Sequence, residues 1–311
     1  MIDTLPVIDI ASLGSASTLH AIDEACREWG FFHALGHGFD PALSARLLSV
    51  ARTFFARPAQ VKLGLLRDAV NPWGYFDKEL TKNRQDWKEI YDLGPPDDPA
   101  LPPRWPADAL RRSFEPTLRA YYDDCRALAL RLLMAVVSNL GVNPALLGED
   151  FGAAHTSFLR LNHYPVRPDV PEPPLGVGEH TDSGALTLLL QDEQPGLEVR
   201  RNGRWHLVRP LAGALLVNIG DMVQVWSNDR YPAALHRVIA PSVRDRYSAA
   251  FFLNPSYETT YEPLATTLAS NVPPRYQRIH WREFRALRAA GDYADLGEEI
   301  QIAHYRRQQE S

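Results

Sequence analysis

The chain has 311 residues, with 33 lysines and arginines against 38 aspartates and glutamates, a formal net charge of −5 and no basic block. That balance argues against nucleic acid or an anionic membrane surface as the main partner, and no apolar stretch approaches the ~20 residues that span a bilayer. The length suffices for one large β-rich domain or two smaller ones, either with an ample core. The start, Met1-Ile2-Asp3-Thr4, lacks the charged and apolar regions of a signal peptide. The two cysteines, Cys26 and Cys125, imply no disulfide framework. Both features point to a reducing, cytoplasmic setting.

In chain order, residues 16–29 alternate apolar and polar side chains at helical spacing and stop at Gly30. Asp40-Pro41 supplies an N-cap and an N1 proline for a helix through about Phe55. A loop rich in proline and aspartate, Gly94 to Pro106, precedes a long helix expected from near Pro116 to Gly141. Leu118, Tyr122, Leu128, Leu132, Val136 and Leu140 form its buried stripe, which suits a helix backing a sheet. From Thr156 the pattern changes to short apolar runs broken by Gly, Pro and Asn: 156–163, 186–191, 197–200, 204–208, 214–219, 234–240 and 247–253. Such spacing predicts a sandwich or barrel. Helical character returns from Trp281 to the C-terminus. Two regions follow, 1–105 helical or mixed and 106–311 mainly β, expected to form one structural unit.

His180-Thr181-Asp182 and the downstream His236 carry the chemistry. Side chains i and i+2 on a strand share a face, so His180 and Asp182 can reach one ion from one strand end. Two imidazoles and a carboxylate suit Fe(II) and leave three octahedral positions open for a co-substrate and O2. Zn(II) accepts the same ligands, but a zinc hydrolase has no evident general base here. Arg246 and Ser248 repeat the i, i+2 geometry and put a guanidinium fork beside a hydroxyl, a carboxylate receptor. The other reading of Arg246 is an ion pair with Asp221 or another acid on a neighbouring strand.

Leu5-Pro6-Val7-Ile8-Asp9-Ile10, Gly30 through Gly38, Asn162-His163-Tyr164-Pro165, His180-Thr181-Asp182, Asn218-Ile219-Gly220-Asp221, Ser227-Asn228, His236-Arg237-Val238 and Arg246-Tyr247-Ser248 follow one another in order. In this the chain resembles, nearly end to end, the isopenicillin N synthase-like family of Fe(II)/2-oxoglutarate-dependent dioxygenases. The resemblance implies a double-stranded β-helix (jelly roll) with flanking helices. It implies iron on His180, Asp182 and His236, and 2-oxoglutarate held by Arg246, Ser248 and Tyr164. The implied reaction converts 2-oxoglutarate and O2 to succinate and CO2 while a small molecule is hydroxylated or desaturated. Isopenicillin N synthase itself and the ascorbate-dependent plant oxidases keep the same elements without using 2-oxoglutarate, so Arg-x-Ser alone leaves the co-substrate open. A binding protein on a retired oxygenase scaffold predicts a lost ligand, and all three are present.

Strand alternation places Arg160, Asn162 and Tyr164 on one face, with Ala250, Phe252 and Asn254 beside them. The resemblance adds that substrate stacks at the position of Phe252 and meets a cation at that of Arg160. Trp73 and Tyr75 look like part of a lid. The expected substrate is a flat or apolar small molecule with an acidic or polar group that meets Arg160, unless Arg160 pairs with a local acid instead. His163 should face the other side of its strand. His37, His155, His206, His280 and His304 read as structural or exposed, and Asn218 to Asp221 as a strand end and tight turn.

Overall fold

The computed structural model describes residues 4–167, 169, 174–268, 272–293 and 299–308. The first three residues, and with them most of the segment read for a signal peptide, lie outside these. Strand β1 (Val7–Asp9) leads into α1 (Ala16–Glu28), β2 (Phe31–Leu35) and α2 (Pro41–Phe55). Ser15 and Asp40 cap the two helices by accepting from the backbone N–H of Thr18 and Ala42. Next come α3 (Ala59–Leu63), β3 (Gly74–Phe76), the hairpin β4 (Leu80–Thr81) and β5 (Arg84–Gln85), β6 (Glu89–Leu93) and α4 (Arg111–Asn139). The second half supplies β7 (Phe158–Tyr164), β8 (Leu175–His180), β9 (Leu186–Gln191), β10 (Leu197–Arg201), β11 (Arg204–Leu207) and β12 (Leu215–Ile219). It continues with α5 (Asp221–Trp226), β13 (His236–Ile239), β14 (Arg246–Leu253), β15 (Thr260–Tyr261), β16 (Ile279–His280) and α6 (Trp281–Tyr293).

Eight strands form one sheet in the order β1-β2-β12-β9-β14-β7-β6-β3, and four form a second, β11-β10-β13-β8. The first half is therefore less helical than its sequence suggests, because it contributes four strands to the large sheet. Along β7, β9, β12 and β14 one face is apolar. Leu161, Leu188, Val217 and Phe251 share a buried cluster with residues of α1, α2 and α4, and Tyr122 of α4 meets the Phe251 ring edge-on at 5.2 Å. The other face looks toward the small sheet. Phe31, Tyr164, Val177, Leu197, Leu216 and Val238 form a second apolar cluster there.

Two expected boundaries moved. Helix α4 begins at Arg111, ahead of Pro116. Proline forgoes one backbone bond, but the fully buried Phe114 packs on Phe54 and Tyr91, at 5.1 Å each, and holds the first turns in place. Of the segment expected to be helical to the C-terminus, α6 covers Trp281–Tyr293, and Ile302–Tyr305 form a 3-10 turn instead. No helix among the described residues is long and apolar enough to cross a membrane.

Candidate metal centre and anion receptor

His180 ends β8, His236 begins β13, and the two are register partners across the small sheet. Their rings lie 4.2 Å apart. Asp182 Oδ1 is 3.6 Å from His180 Nε2 and 3.7 Å from His236 Nε2. Separations of this size fit three donors each about 2.1 Å from one central ion. His180 Nδ1 is 2.9 Å from the Gly178 carbonyl and His236 Nδ1 3.1 Å from that of Ala234. A carbonyl only accepts, so each Nδ1 carries the hydrogen and each Nε2 turns its lone pair toward the shared point. Asp182 Oδ2 accepts from Thr187 Oγ1 at 2.5 Å and Asn218 Nδ2 at 2.8 Å, which leaves Oδ1 for the ion. Burial, with help from His236 and Lys88, pushes His180 down to about 3. Burial alone would raise the Asp182 carboxyl, but the two histidines and the bonds from Asn218 and Thr187 outweigh it and hold it below its ordinary value. A neutral imidazole and an ionised carboxylate are the forms a divalent cation requires.

The tight turn expected at Asn218 to Asp221 does more than shape a strand end. Gly220 N donates to Ala185 O at 2.9 Å, Asp221 N to Asp182 O at 2.7 Å and Met222 N to Gly184 O at 3.2 Å. The end of β12 and the start of α5 thus grip the loop that carries Asp182. A Cβ on Gly220 would stand 2.2 Å from the Gly184 carbonyl oxygen, so only glycine permits the approach.

Arg246, 1% exposed, lies on the same inward face of the large sheet as its neighbours. Register sets Arg246 opposite Tyr164 and Ser248 opposite Asn162. The guanidinium carbon sits 4.9 Å from the Tyr164 ring centre, and Nη2 donates to Gln191 Oε1 at 2.9 Å. Nε and Nη1 are buried without a hydrogen-bond partner. A buried cation left with open donors costs several kcal/mol unless an anion completes it. Asp221 is not that anion, since its carboxyl lies among Arg288, Thr181, Asp182 and Glu299, and Asp192, which feels the Arg246 charge, accepts instead from the backbone N–H of Gln194 and Tyr247. Ser248 Oγ accepts from Asn162 Nδ2 at 3.3 Å, so its own proton remains available to a ligand. One cavity is lined by all three metal-binding candidates together with Asn162, Tyr164, Arg246 and Ser248. The residues therefore fit both a ferrous ion and a dicarboxylate with one end on Arg246.

A second cavity adjoins it past Phe252, with Phe158, Arg160, Asn254, Thr181 and Ser183 in its wall. Phe252 stacks on Phe158 at 4.6 Å and 19°. Arg160 faces both cavities, and local acids hold it: Nε and Nη2 bond Asp92 at 2.7 and 2.8 Å, and Nη1 bonds Glu79 at 2.8 Å. Lys88 Nζ, at the seam between the cavities, bonds Glu79 at 2.7 Å and approaches Asp86 at 3.2 Å. Lys88 carries no signal in the sequence, because it lies just ahead of the short strand β6, outside any apolar or alternating run. Tyr75 and Trp73 do not line either cavity. Edge strand β3 turns Tyr75 toward Phe54 and bonds its hydroxyl to Glu89 at 2.6 Å, while Trp73 lies against Phe158 at 5.7 Å on the rim of an outer cavity. His163 points to the opposite face, as alternation requires, between Glu89 and Asp245 at 2.7 and 2.9 Å.

The family model for the 2OG-Fe(II) oxygenase superfamily matches residues 155–255, and that for the non-haem dioxygenase in morphine synthesis N-terminal region matches 5–108. The chain is 34% identical over 291 residues to flavanone 3-dioxygenase 2 of Oryza sativa subsp. japonica, which spans 90% of this chain and 82% of that one. It is 34% identical over 293 residues to jasmonate-induced oxygenase 1 of Arabidopsis thaliana, with 90% and 71% covered. Among solved structures, a full-length Neurospora crassa protein in complex with α-ketoglutarate and thymine superposes with a TM-score of 0.83 at 28% identity, over 93% of this chain and 98% of that one. JOX2, in complex with 2OG, Fe and JA, gives 0.82 at 32% identity over 91% and 84%.

Proposed function

The chain belongs to the 2OG-Fe(II) oxygenase superfamily, and from that membership we propose that His180, Asp182 and His236 hold its iron while Arg246, Ser248 and Tyr164 hold 2-oxoglutarate. The protein is an Fe(II)- and 2-oxoglutarate-dependent dioxygenase that oxidises a small-molecule substrate. Bound iron, 2-oxoglutarate and O2 supply the oxidising power, with succinate and CO2 released; the protein binds, orients and excludes water. The observation that carries the assignment is the buried Arg246 guanidinium, whose Nε and Nη1 lack partners in the cavity that holds the metal triad.

The stacked pair Phe158 and Phe252 supports a flat or apolar substrate body, with Asn162 and Asn254 offering amide contacts at either end of that wall. Arg160 gives its charge to Asp92 and Glu79, which favours a polar over an acidic group on the substrate. Hydroxylation and desaturation both fit this wall. The packing of α4 on the outer face supports reading it as the helix that backs a jelly-roll core. The strands that residues 7–93 add to the large sheet support one structural unit across the 1–105 and 106–311 regions. Two buried free cysteines fit a reducing, cytoplasmic compartment.

Anaerobic titration of the Fe(II)-loaded protein with 2-oxoglutarate tests the site. The visible charge-transfer band of a 2-oxo acid on ferrous iron should appear, and should vanish in Arg246→Ala at the same 2-oxoglutarate concentration. A band that survives that change removes Arg246 from the role.

A further inference from the structure

Between His180 and Asp182 lies a single residue, Thr181, and its carbonyl has a distant partner. Arg288 Nη2, on α6, donates to Thr181 O at 2.8 Å. The same guanidinium donates through Nη1 to Gln301 Oε1 at 2.8 Å and to Ile300 O at 3.3 Å, and Nη1 stands 3.4 Å from Glu299 Oε1. Glu299 Oε2 accepts from the backbone N–H of Lys82 at 2.7 Å. Lys82 and Asn83 form the turn of the β4–β5 hairpin, with φ of 49° and 61°. Arg288 is 5% exposed and Glu299 4%. Both line the cavity beside Asp182, together with Thr81, Thr181 and Arg285.

One buried cation therefore ties α6, the segment after it and, through Glu299, the β4–β5 hairpin to the peptide that joins two of the metal-binding candidates. Rotation of that peptide would break a charge-assisted bond in a site with little water to replace it. It would also swing the side chains on either side, and ligand distances tolerate only about 0.2 Å of error. We propose that Arg288 is a positioning residue for the metal centre: its bond to the Thr181 carbonyl fixes the peptide between His180 and Asp182, and through it the affinity for iron. The proposal rests on iron at His180, Asp182 and His236.

The test is an anaerobic Fe(II) titration at saturating 2-oxoglutarate, read by the charge-transfer band, alongside the melting temperature of each metal-free protein. Arg288→Gln should raise the Fe(II) Kd about tenfold or more, in the range for lost supporting bonds, with the 2-oxoglutarate KM little changed. Phe284→Leu loosens the same helix from its fully buried side without removing a bond to Thr181. It should lower the melting temperature yet keep the Fe(II) Kd within about twofold, well below that range. An unchanged Kd in Arg288→Gln, or an equal loss in Phe284→Leu, overturns the positioning role. Should Arg288→Gln not fold, Arg288→Lys carries the same comparison, since it keeps a charge beside Glu299 but cannot reach Thr181 and Gln301 together. A wild type that binds no Fe(II) removes the metal assignment and the inference with it, whereas a wild type that binds leaves only Arg288 in question.

Discussion

Asp182 uses its two oxygens for different tasks. Oδ2 is fixed by Thr187 and Asn218, and the fixed carboxylate plane then presents Oδ1 to the point where the two Nε2 lone pairs converge. Loss of either donor frees the carboxylate to rotate. Asn218→Ala should therefore weaken Fe(II) binding about tenfold, and competition titration against a chromophoric chelator would read it. An affinity equal to wild type would mean that Thr187 alone suffices. The candidate ligands His180, Asp182 and His236, which the fold brings together, were legible in the sequence because metal geometry demands a particular spacing. Asn218 was visible only as part of a turn, since nothing in a linear chain says that β12 lies beside β9. Arg160 shows the converse. Its face was legible from strand alternation, but its partners Asp92 and Glu79 belong to a part of the chain whose strands are short and charged.

At the scale of elements, the junction of β12 with α5 works as a bracket for the metal loop, and its tightness makes a contrast between two glycines. An alanine at Gly220 would push its Cβ against the carbonyl oxygens of Gly184 and Asp182, at 2.2 and 2.8 Å, and backbone oxygens have little room to move. Gly220→Ala should cost about 1–3 kcal/mol of stability, as overpacked sites do, and should reduce Fe(II) affinity as well, because Asp182 moves with its carbonyl. Gly14→Ala, where a Cβ meets nothing within 4 Å, should leave both unchanged. Thermal unfolding of the two metal-free variants with parallel Fe(II) titrations checks the pair. Equal behaviour would show that the bracket has slack that the close approach at Gly220 does not suggest.

At the scale of the whole molecule, the second half was readable because its large-sheet strands serve two masters. In β7, β9, β12 and β14 one face is apolar against the helices while the other carries Arg160, Asn162, Asn218, Arg246 and Ser248 among apolar neighbours, so alternation survives in the sequence. The first half was not, because β3 to β6 are two to five residues long and the buried charges on and between them, Glu79, Asp86, Lys88 and Asp92, are neutralised by one another and by partners such as Arg160 far along the chain. Buried charge also sets how the stability of the metal-free protein depends on pH. Burial pushes the Asp221 carboxyl up to about 6, against the pull of Arg288 and a contact from Thr181. A carboxyl raised in the fold binds its proton more tightly there than in the unfolded chain. Its contribution is therefore fully present below the unfolded value of 3.8 and is lost as pH climbs through about 6, a loss on the order of 3 kcal/mol. Asp221→Asn cannot ionise, so its urea midpoint, measured without metal, should draw ahead of wild type between pH 4 and 6. The gap should then stay level to pH 8. Parallel curves across that window would mean that Asp221 is already ionised in the fold at pH 4 and that Arg288 outweighs burial.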